Sequence, residues 1–408
     1  MDTVYLDQAS TSSPKADGLG EVIARYFASG AYTVSRGQYE GAISTAQAVY
    51  QARKDICQYF GEEDVRKLIF TGNVTHSLNL VTKGLLKAGD EVICSSMEHN
   101  ALMRPLYQLS KRGVKVKIIP ASSEGELDPQ KVADAISSDT RALVFTAASN
   151  VCGSCLPLAD LAEIAHKNNL YFIVDSAQVA GHFPWQIKDL AIDAFCFTGH
   201  KALRGPQGIG GVILSQKMAE NLEPLISGGT GSYSDLEDMP PHLPDRFEAG
   251  TPNLPGILGL GHAVELRLKE EAFESYIQEM ELLCLFLAGL GEHLPAYLVE
   301  IKGLGLPGAE ASLAWAKTLQ RHHLTAGSSL PFTMPLVSLN FPKHDNAAVA
   351  FHLENEYGIM TRSGLHCAPR AHKTLNTFPQ GTVRFSLAST NTLEEIDYTL
   401  SALRKVLA

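Results

Sequence analysis

A chain of 408 residues is too long for one small core and implies two domains, or three. Its apolar fraction of 45% and charged fraction of 19% are ordinary for a globular protein. A net charge of −10 argues against nucleic acid or an anionic membrane as partner, and no stretch approaches the ~20 apolar residues of a membrane span.

The N-terminus, Met1 to Asp7, lacks a basic region followed by an apolar run, so no secretion signal is expected. Residues 1–14 read as extended and polar, ending in Ser13-Pro14. Helices are predicted over 17–28 and 42–60, with a loop between them whose Arg36-Gly37 is placed to approach a ligand. A strand over 65–70 turns at Gly72-Asn73 into a helix starting near Val74. That turn is an anion cradle in outline: free N–H groups and the helix dipole both favour phosphate.

Strands and helices then alternate. Strands are predicted at 91–94, 114–119, 142–145, 170–175, 194–197 and 210–214, with helices at 128–136 and 158–168 between them. Continuous apolar strands separated by helices imply a mainly parallel sheet covered on both faces. Gly72, His99, Asn150, Asp175 and Lys201 all follow predicted strands, the position where such sheets bind ligands. Residues 221–256 are rich in Gly, Pro, Ser and Asp and read as a long loop region reaching toward a neighbouring subunit. A long helix follows over 255–290 with a break near Phe273. Residues 291–333 carry no clear pattern. Strands at 335–341 and 382–387 and helices at 346–357 and 392–406 complete the chain.

Two constellations carry chemistry. Lys201 ends the apolar strand Phe195-Cys-Phe-Thr198, where desolvation lowers an amine's pKa. Asp175 ends the strand Leu170-Tyr-Phe-Ile-Val-Asp175. A strand-end Asp with a strand-end Lys suits pyridoxal phosphate, the Asp keeping the pyridine nitrogen protonated and the Lys holding the aldehyde. The second constellation is the loop from Met360 to Arg370, with His366-Cys367 between Arg362 and Arg370. Positive neighbours favour the thiolate, which is the nucleophile. The seven cysteines are scattered, which fits a reducing cytoplasm better than a disulfide framework. Cys152-Gly-Ser-Cys155 is a single C-x-x-C, with no second pair to make a metal site.

These motifs together resemble the pyridoxal phosphate-dependent class V aminotransferase-like family, in its cysteine desulfurase and selenocysteine lyase branch. The resemblance rests on Glu98-His99, Ser149-Asn-Val151, Val174 to Gln178, Thr198-Gly-His-Lys201, Ala249 to Asn253 and Arg362 to Cys367. It implies the type I transferase fold: a mainly parallel, seven-stranded-type sheet in a large domain, 15–255, plus a smaller α+β domain. That smaller domain would comprise 1–14 and 256–408 and carry the cysteine loop.

The resemblance also implies roles. Lys201 would bind the cofactor as a Schiff base and shuttle protons, Asp175 would hold the ring nitrogen, and His99 would stack on the ring. Gln178 would meet the phenolic oxygen, with Asn150 close to it and to the substrate carboxylate. Thr198, His200 and the backbone of Val74 and Thr75 would hold the phosphate, joined by Thr251 from a partner subunit in a homodimer. Arg384 would clamp the α-carboxylate, with Arg362 near the substrate and Cys367 as the sulfur acceptor. The implied reaction converts L-cysteine to L-alanine with a persulfide on Cys367, passed on to an acceptor protein. Selenocysteine lyase, cysteine sulfinate desulfinase, aminotransferase and epimerase are the alternatives. Position 74 is Val, so only its backbone could serve, and His76 stands where the family usually has Glu.

Overall fold

The computed structural model describes residues 3–34, 37–271, 273–296, 298–322 and 331–408. Arg36 lies outside them. Strand β1 (Val4–Tyr5) opens the chain, and two helices follow, Leu19–Ala28 and Glu40–Tyr59. Seven strands then build one sheet: β2 (Leu68–Thr71), β3 (Glu91–Ser95), β4 (Lys115–Ile119), β5 (Thr140–Thr146), β6 (Tyr171–Asp175), β7 (Ala194–Thr198) and β8 (Gly210–Leu214). Their order is β2-β8-β7-β6-β5-β3-β4. All pairs are parallel except the two made by β8. The sheet is mainly parallel, as its unbroken apolar strands require.

Alternate residues of each strand serve opposite faces, because side chains of a strand point to the two sides in turn. Phe172, Val174, Phe195 and Phe197 enter one core cluster, while Ile173, Ala194 and Cys196 enter another. The end of helix Glu40–Tyr59 seals the first face: the Phe60 ring lies 5.0 Å from Phe195 and 5.1 Å from Phe197. Against that helix runs Leu254–Lys269. A Cβ on Gly261 would fall 2.4 Å from the Ala52 Cβ, so the close approach of the two helices depends on that glycine.

The predicted break at Phe273 is present. Helix Glu274–His293 starts there, with Phe273 at φ +68°. The region without a clear pattern contains β9 (Glu300–Lys302) and helix Gly305–His322. The remaining strands are β10 (Leu336–Asn340), β11 (Ile359–Met360), β12 (Arg362–Gly364) and β13 (Thr382–Ser386). They form an antiparallel sheet, β12-β13-β10-β9, and a two-stranded parallel pair, β1 with β11. Asp7 bridges in parallel to Ser386, so the first strand joins the last. The stretch from Met360, read as loop, begins as strand instead. Three residues are too few to show period-two alternation. The final helix, Leu393–Val406, carries the capping box of Thr392 and Glu395.

Candidate active site

Because β2 is antiparallel to β8 and β8 to β7, the ends of β2, β3, β5, β6 and β7 reach the same edge of the sheet. Gly72, His99, Asn150, Asp175 and Lys201 therefore converge, as their strand-end positions predicted. Asp175 is only 1% exposed, and its Oδ1 accepts the Ala177 N–H at 3.0 Å. Burial raises its pKa, while the Lys201 charge pulls it back down. Burial likewise drives the Lys201 amine down to about 8, against the pull of Asp175 and with help from Arg384 and Arg362. A free amine is thus accessible near neutral pH.

His99 caps helix Asn100–Ser110, its Nδ1 accepting the Ala101 N–H at 3.0 Å. That bond puts the proton of the neutral ring on Nε2. Burial, followed by the Lys201 and Arg362 charges, lowers this imidazole to about 4, so it stays neutral. Beneath it, buried Glu98 ties two strand ends together. Its Oε1 accepts the Ser95 hydroxyl at 2.6 Å and its Oε2 accepts the Thr146 N–H at 2.9 Å. Burial raises the Glu98 carboxyl to about 8, with a smaller push from Asp175. Gln178 is buried and donates to Ala9 O at 3.3 Å. His200 sits against Thr11 Oγ1 at 3.1 Å and is lowered to about 4, first by burial and then by Lys201.

The antiparallel sheet brings in the arginines and the cysteine. β12 pairs with β13 so that Arg362 lies directly opposite Arg384. Arg384 is 1% exposed. Its Nη1 donates to Asn150 O at 2.9 Å, and its Nη2 donates to Asp7 Oδ1 at 2.7 Å and Ser10 Oγ at 2.8 Å. Arg362 shares the same hydroxyl at 2.6 Å and points its Nη2 at Cys367 Sγ, 3.9 Å away. Of the seven cysteines Cys367 alone is exposed. His366 and Cys367 both take left-handed backbone, φ +45° and +57°. Three contacts hold that turn. Asn150 Nδ2 donates to His366 O at 2.7 Å, the Asn100 N–H donates to Cys367 O at 2.8 Å, and His366 Nε2 meets Thr382 Oγ1 at 3.1 Å.

The cradle at Gly72 also forms. Asn73 caps helix Val74–Leu85 by accepting the His76 N–H at 3.0 Å. Among the described residues the N–H groups of Val74 and Thr75 make no hydrogen bond. A Cβ on Gly210 would stand 2.6 Å from Phe197 O, 3.1 Å from Asn73 Cα and 3.2 Å from Thr198 Cα. That glycine lets the cradle close on Thr198. Thr251 is exposed, on a loop whose Gly250 and Pro252 line a groove with Gly72 and His76. Among the described residues it bonds to none of the other predicted site residues. Cys152 Sγ meets Ser154 Oγ at 3.2 Å and Cys155 Sγ meets Gly153 O at 3.8 Å. Among the described residues no group of three or more His, Cys, Asp or Glu is arranged to hold a metal.

The residues fit pyridoxal phosphate. Among the described residues, three polar atoms at the converging ends are buried without a partner: Thr198 Oγ1, Asn150 Oδ1 and Arg384 Nε. Such atoms are costly unless a ligand satisfies them. A carboxyl, an amine of lowered pKa and a helix N-terminus closed by Gly210 complete the set. An α/β sheet with this lysine and aspartate at adjacent strand ends defines a pyridoxal phosphate enzyme of the type I fold.

Comparison with known proteins gives the particular family. The family described as Aminotransferase class-V matches residues 4–292 and 318–399, and the chain belongs to that pyridoxal phosphate-dependent family. A probable cysteine desulfurase of Methanothermobacter thermautotrophicus is 29% identical, over 99% of this chain and 95% of that protein. A cysteine desulfurase of Escherichia coli is 30% identical, over 98% and 93%. Among solved structures, the apo cysteine desulfurase of Thermococcus onnurineus has a TM-score of 0.87 at 28% identity, covering 99% of this chain and 94% of that one. An Escherichia coli cysteine desulfurase in its S-sulfonic acid form has 0.83 at 27%, covering 100% and 95%.

Sequence reasoning missed Asp7, which holds Arg384, and Ser10, which holds both arginines. The signal available was a carboxylate just after an apolar pair, but a two-residue strand is too short to be recognised. It also gave Glu98 no role beyond its place in a motif.

Proposed function

We propose that the protein is a cysteine desulfurase that converts L-cysteine to L-alanine and collects the sulfur as a persulfide on Cys367. The observation that carries this reading is the exposed Cys367, held 3.9 Å from Arg362 and bonded through its own carbonyl to the turn after His99. When bound, pyridoxal phosphate supplies an electron sink for the pair left behind at the substrate Cα. Asp175, at its buried strand end, would keep the ring nitrogen protonated, and His99, held neutral, would cover the ring. Gln178 would meet the phenolic oxygen. Thr198 Oγ1, His200 and the free N–H groups of Val74 and Thr75 would hold the phosphate. Arg384, fixed along one edge by Asp7 and Asn150, offers its unpartnered Nε to the substrate carboxylate. Asn150 Oδ1 is a second free group beside it.

Lys201 Nζ takes the proton from the substrate Cα, which its lowered pKa permits near neutrality. Cys367 Sγ, as thiolate, attacks the substrate sulfur. The Sγ–S bond forms as the substrate Cβ–S bond breaks, and that bond's electron pair stays on the carbon fragment, which takes up protons and leaves as alanine. Arg362, 3.9 Å from Sγ, stabilises the negative sulfur.

The same reading includes a homodimer in which the partner's Thr251 reaches the phosphate, supported by exposed apolar side chains such as Phe27, Tyr50 and Ile226. It also includes an acceptor protein for the sulfur and a cytoplasmic site of action, which seven free cysteines favour. The domain division is placed at 15–255 against 1–14 with 256–408, supported by the pairing of β1 with β11 and of Asp7 with Ser386. Among the described residues no helix is long and apolar enough to cross a membrane.

The test is Cys367→Ala. The variant is expected to bind the cofactor with an unchanged absorbance spectrum and to release no sulfide from L-cysteine in the presence of a thiol. Turnover equal to that of the wild type would sink the assignment.

A further inference from the structure

The two helices adjoining Cys367 expose basic side chains, although the chain as a whole carries −10. Two helices frame the cysteine. Helix Asn100–Ser110 is tied to it by the Asn100 N–H on Cys367 O, 2.8 Å. Helix Pro369–Thr374 begins two residues after it and is pinned to the turn that follows β3 by Thr374 Oγ1 on Ser96 Oγ, 2.8 Å. The first helix exposes Arg104 and Tyr107, with Lys111 directly beyond its last residue. These positions are three and four residues apart and so share one face. The second exposes Arg370 and Lys373, and Phe378 lies just beyond it. The Lys111 ammonium sits 4.5 Å from the Tyr107 ring and that of Lys373 5.0 Å from the Phe378 ring.

Neither aromatic is covered: Tyr107 is 62% exposed and Phe378 44%. Among the described residues, no carboxylate lies within ion-pair distance of Arg104, Lys111, Arg370 or Lys373. Elsewhere on the surface lysines commonly have such partners, as in Lys115–Asp139 and Lys167–Glu163. Four cations without a carboxylate partner and two exposed aromatic rings thus lie on or just beyond the two helices that flank the one exposed thiol.

We propose that this rim is the docking surface for a sulfur-accepting protein whose own thiol lies in an acidic patch. The inference rests on the desulfurase reading. It adds the charge of the partner and the two helices that receive it. Complementary charge would steer the encounter and set its register, and the two rings would supply apolar contact area. The transfer itself is a thiol–persulfide exchange. The partner's thiolate attacks the outer sulfur of the Cys367 persulfide, a new S–S bond forms, the old one breaks, and Cys367 leaves with the electron pair as thiolate. No external oxidant or reductant is needed.

The experiment uses holoenzyme, L-cysteine and two blocked peptides, Glu-Glu-Cys-Glu-Glu and Lys-Lys-Cys-Lys-Lys, with dithiothreitol as the uncharged thiol. Alanine and peptide persulfide are measured by mass spectrometry. At low salt the acidic peptide is expected to accept sulfur at least about tenfold faster than the basic one. The gap is expected to close at roughly 1 M salt, where the screening length falls to about 3 Å. Lys373→Glu is expected to shift the preference toward the basic peptide while leaving alanine formation with dithiothreitol unchanged, which also shows that it folds. Lys111→Glu, near the end of the other helix, is expected to shift the preference in the same direction. Equal rates for the two peptides, or a preference indifferent to these reversals, overturns the docking surface. A wild-type enzyme that makes no alanine even with dithiothreitol overturns the desulfurase reading instead.

Discussion

Removing the Asp7 carboxylate tests how the carboxylate clamp is held. Asp7 Oδ1 accepts from Arg384 Nη2 at 2.7 Å, and Arg384 is buried with its Nε already unpartnered. Breaking a buried ion pair by deleting one partner costs about 3–5 kcal/mol. The Asp7 side chain is 20% exposed, so water can replace part of the lost contact, and Ser10 Oγ stays on the same nitrogen at 2.8 Å. Asp7→Ala is therefore expected at the low end, about 2–3 kcal/mol. Asp7→Asn keeps an acceptor and loses only the charge, the difference between a charged and a neutral hydrogen bond, about 1 kcal/mol. Thermal unfolding is expected to show this graded order, with at most roughly 2–4 °C lost per kcal/mol. Steady-state kinetics are expected to show KM for L-cysteine rising about tenfold in Asp7→Ala, equivalent to about 1.4 kcal/mol of carboxylate binding. Unchanged Tm and KM in Asp7→Ala would refute the idea that this carboxylate orients Arg384.

Other outcomes follow from the same geometry. Burial lowers Lys201 to about 8, so aldehyde capture by the apoprotein is expected to rise with pH about a midpoint near 8. A midpoint near 10.5, the ordinary lysine value, would contradict this. A lysine whose folded pKa is lowered makes stability rise with pH between about 8 and the unfolded value, a slope that Lys201→Met is expected to lose in apoprotein melts. Glu98 has the opposite sign. Its folded pKa, raised to about 8, gives stability that is lost as pH rises from about 5 to 8. Stability curves of wild type and Glu98→Gln are expected to diverge across that window, and parallel curves would count against a buried proton there. Gly210→Ala forces a Cβ to 2.6 Å from Phe197 O and 3.1 Å from Asn73 Cα, so β7 and the cradle turn have to shift. It is expected to cost about 1–3 kcal/mol and to loosen cofactor retention in dialysis. Wild-type retention would show that the turn tolerates the extra carbon.

Much of the large sheet was legible because its strands are buried on both faces and so read as continuous apolar runs. The convergence of Gly72, His99, Asn150, Asp175 and Lys201 followed from strand ends alone. What stayed hidden depends on contacts between distant stretches. Arg362 facing Arg384 needs the register of two short strands, one of only three residues. The grip of Asp7 on the Arg384 guanidinium needs a pairing between residues 377 positions apart. Neither leaves a periodic trace in the local sequence. The positive turn at His366-Cys367 also carries no glycine to announce it, since its backbone is held by Asn150 and Asn100 from elsewhere.

The bond between Asp7 and Arg384 has a consequence for how the enzyme comes into being. An early strand waits for a late one. Until β13 is made, Asp7 has no Arg384 to orient, and a nascent chain that has finished its large sheet still has no clamp for a substrate carboxylate. Closing so long a loop is slow, because its entropy must be lost before the contact forms. Substrate recognition is thereby deferred until β13 has been made.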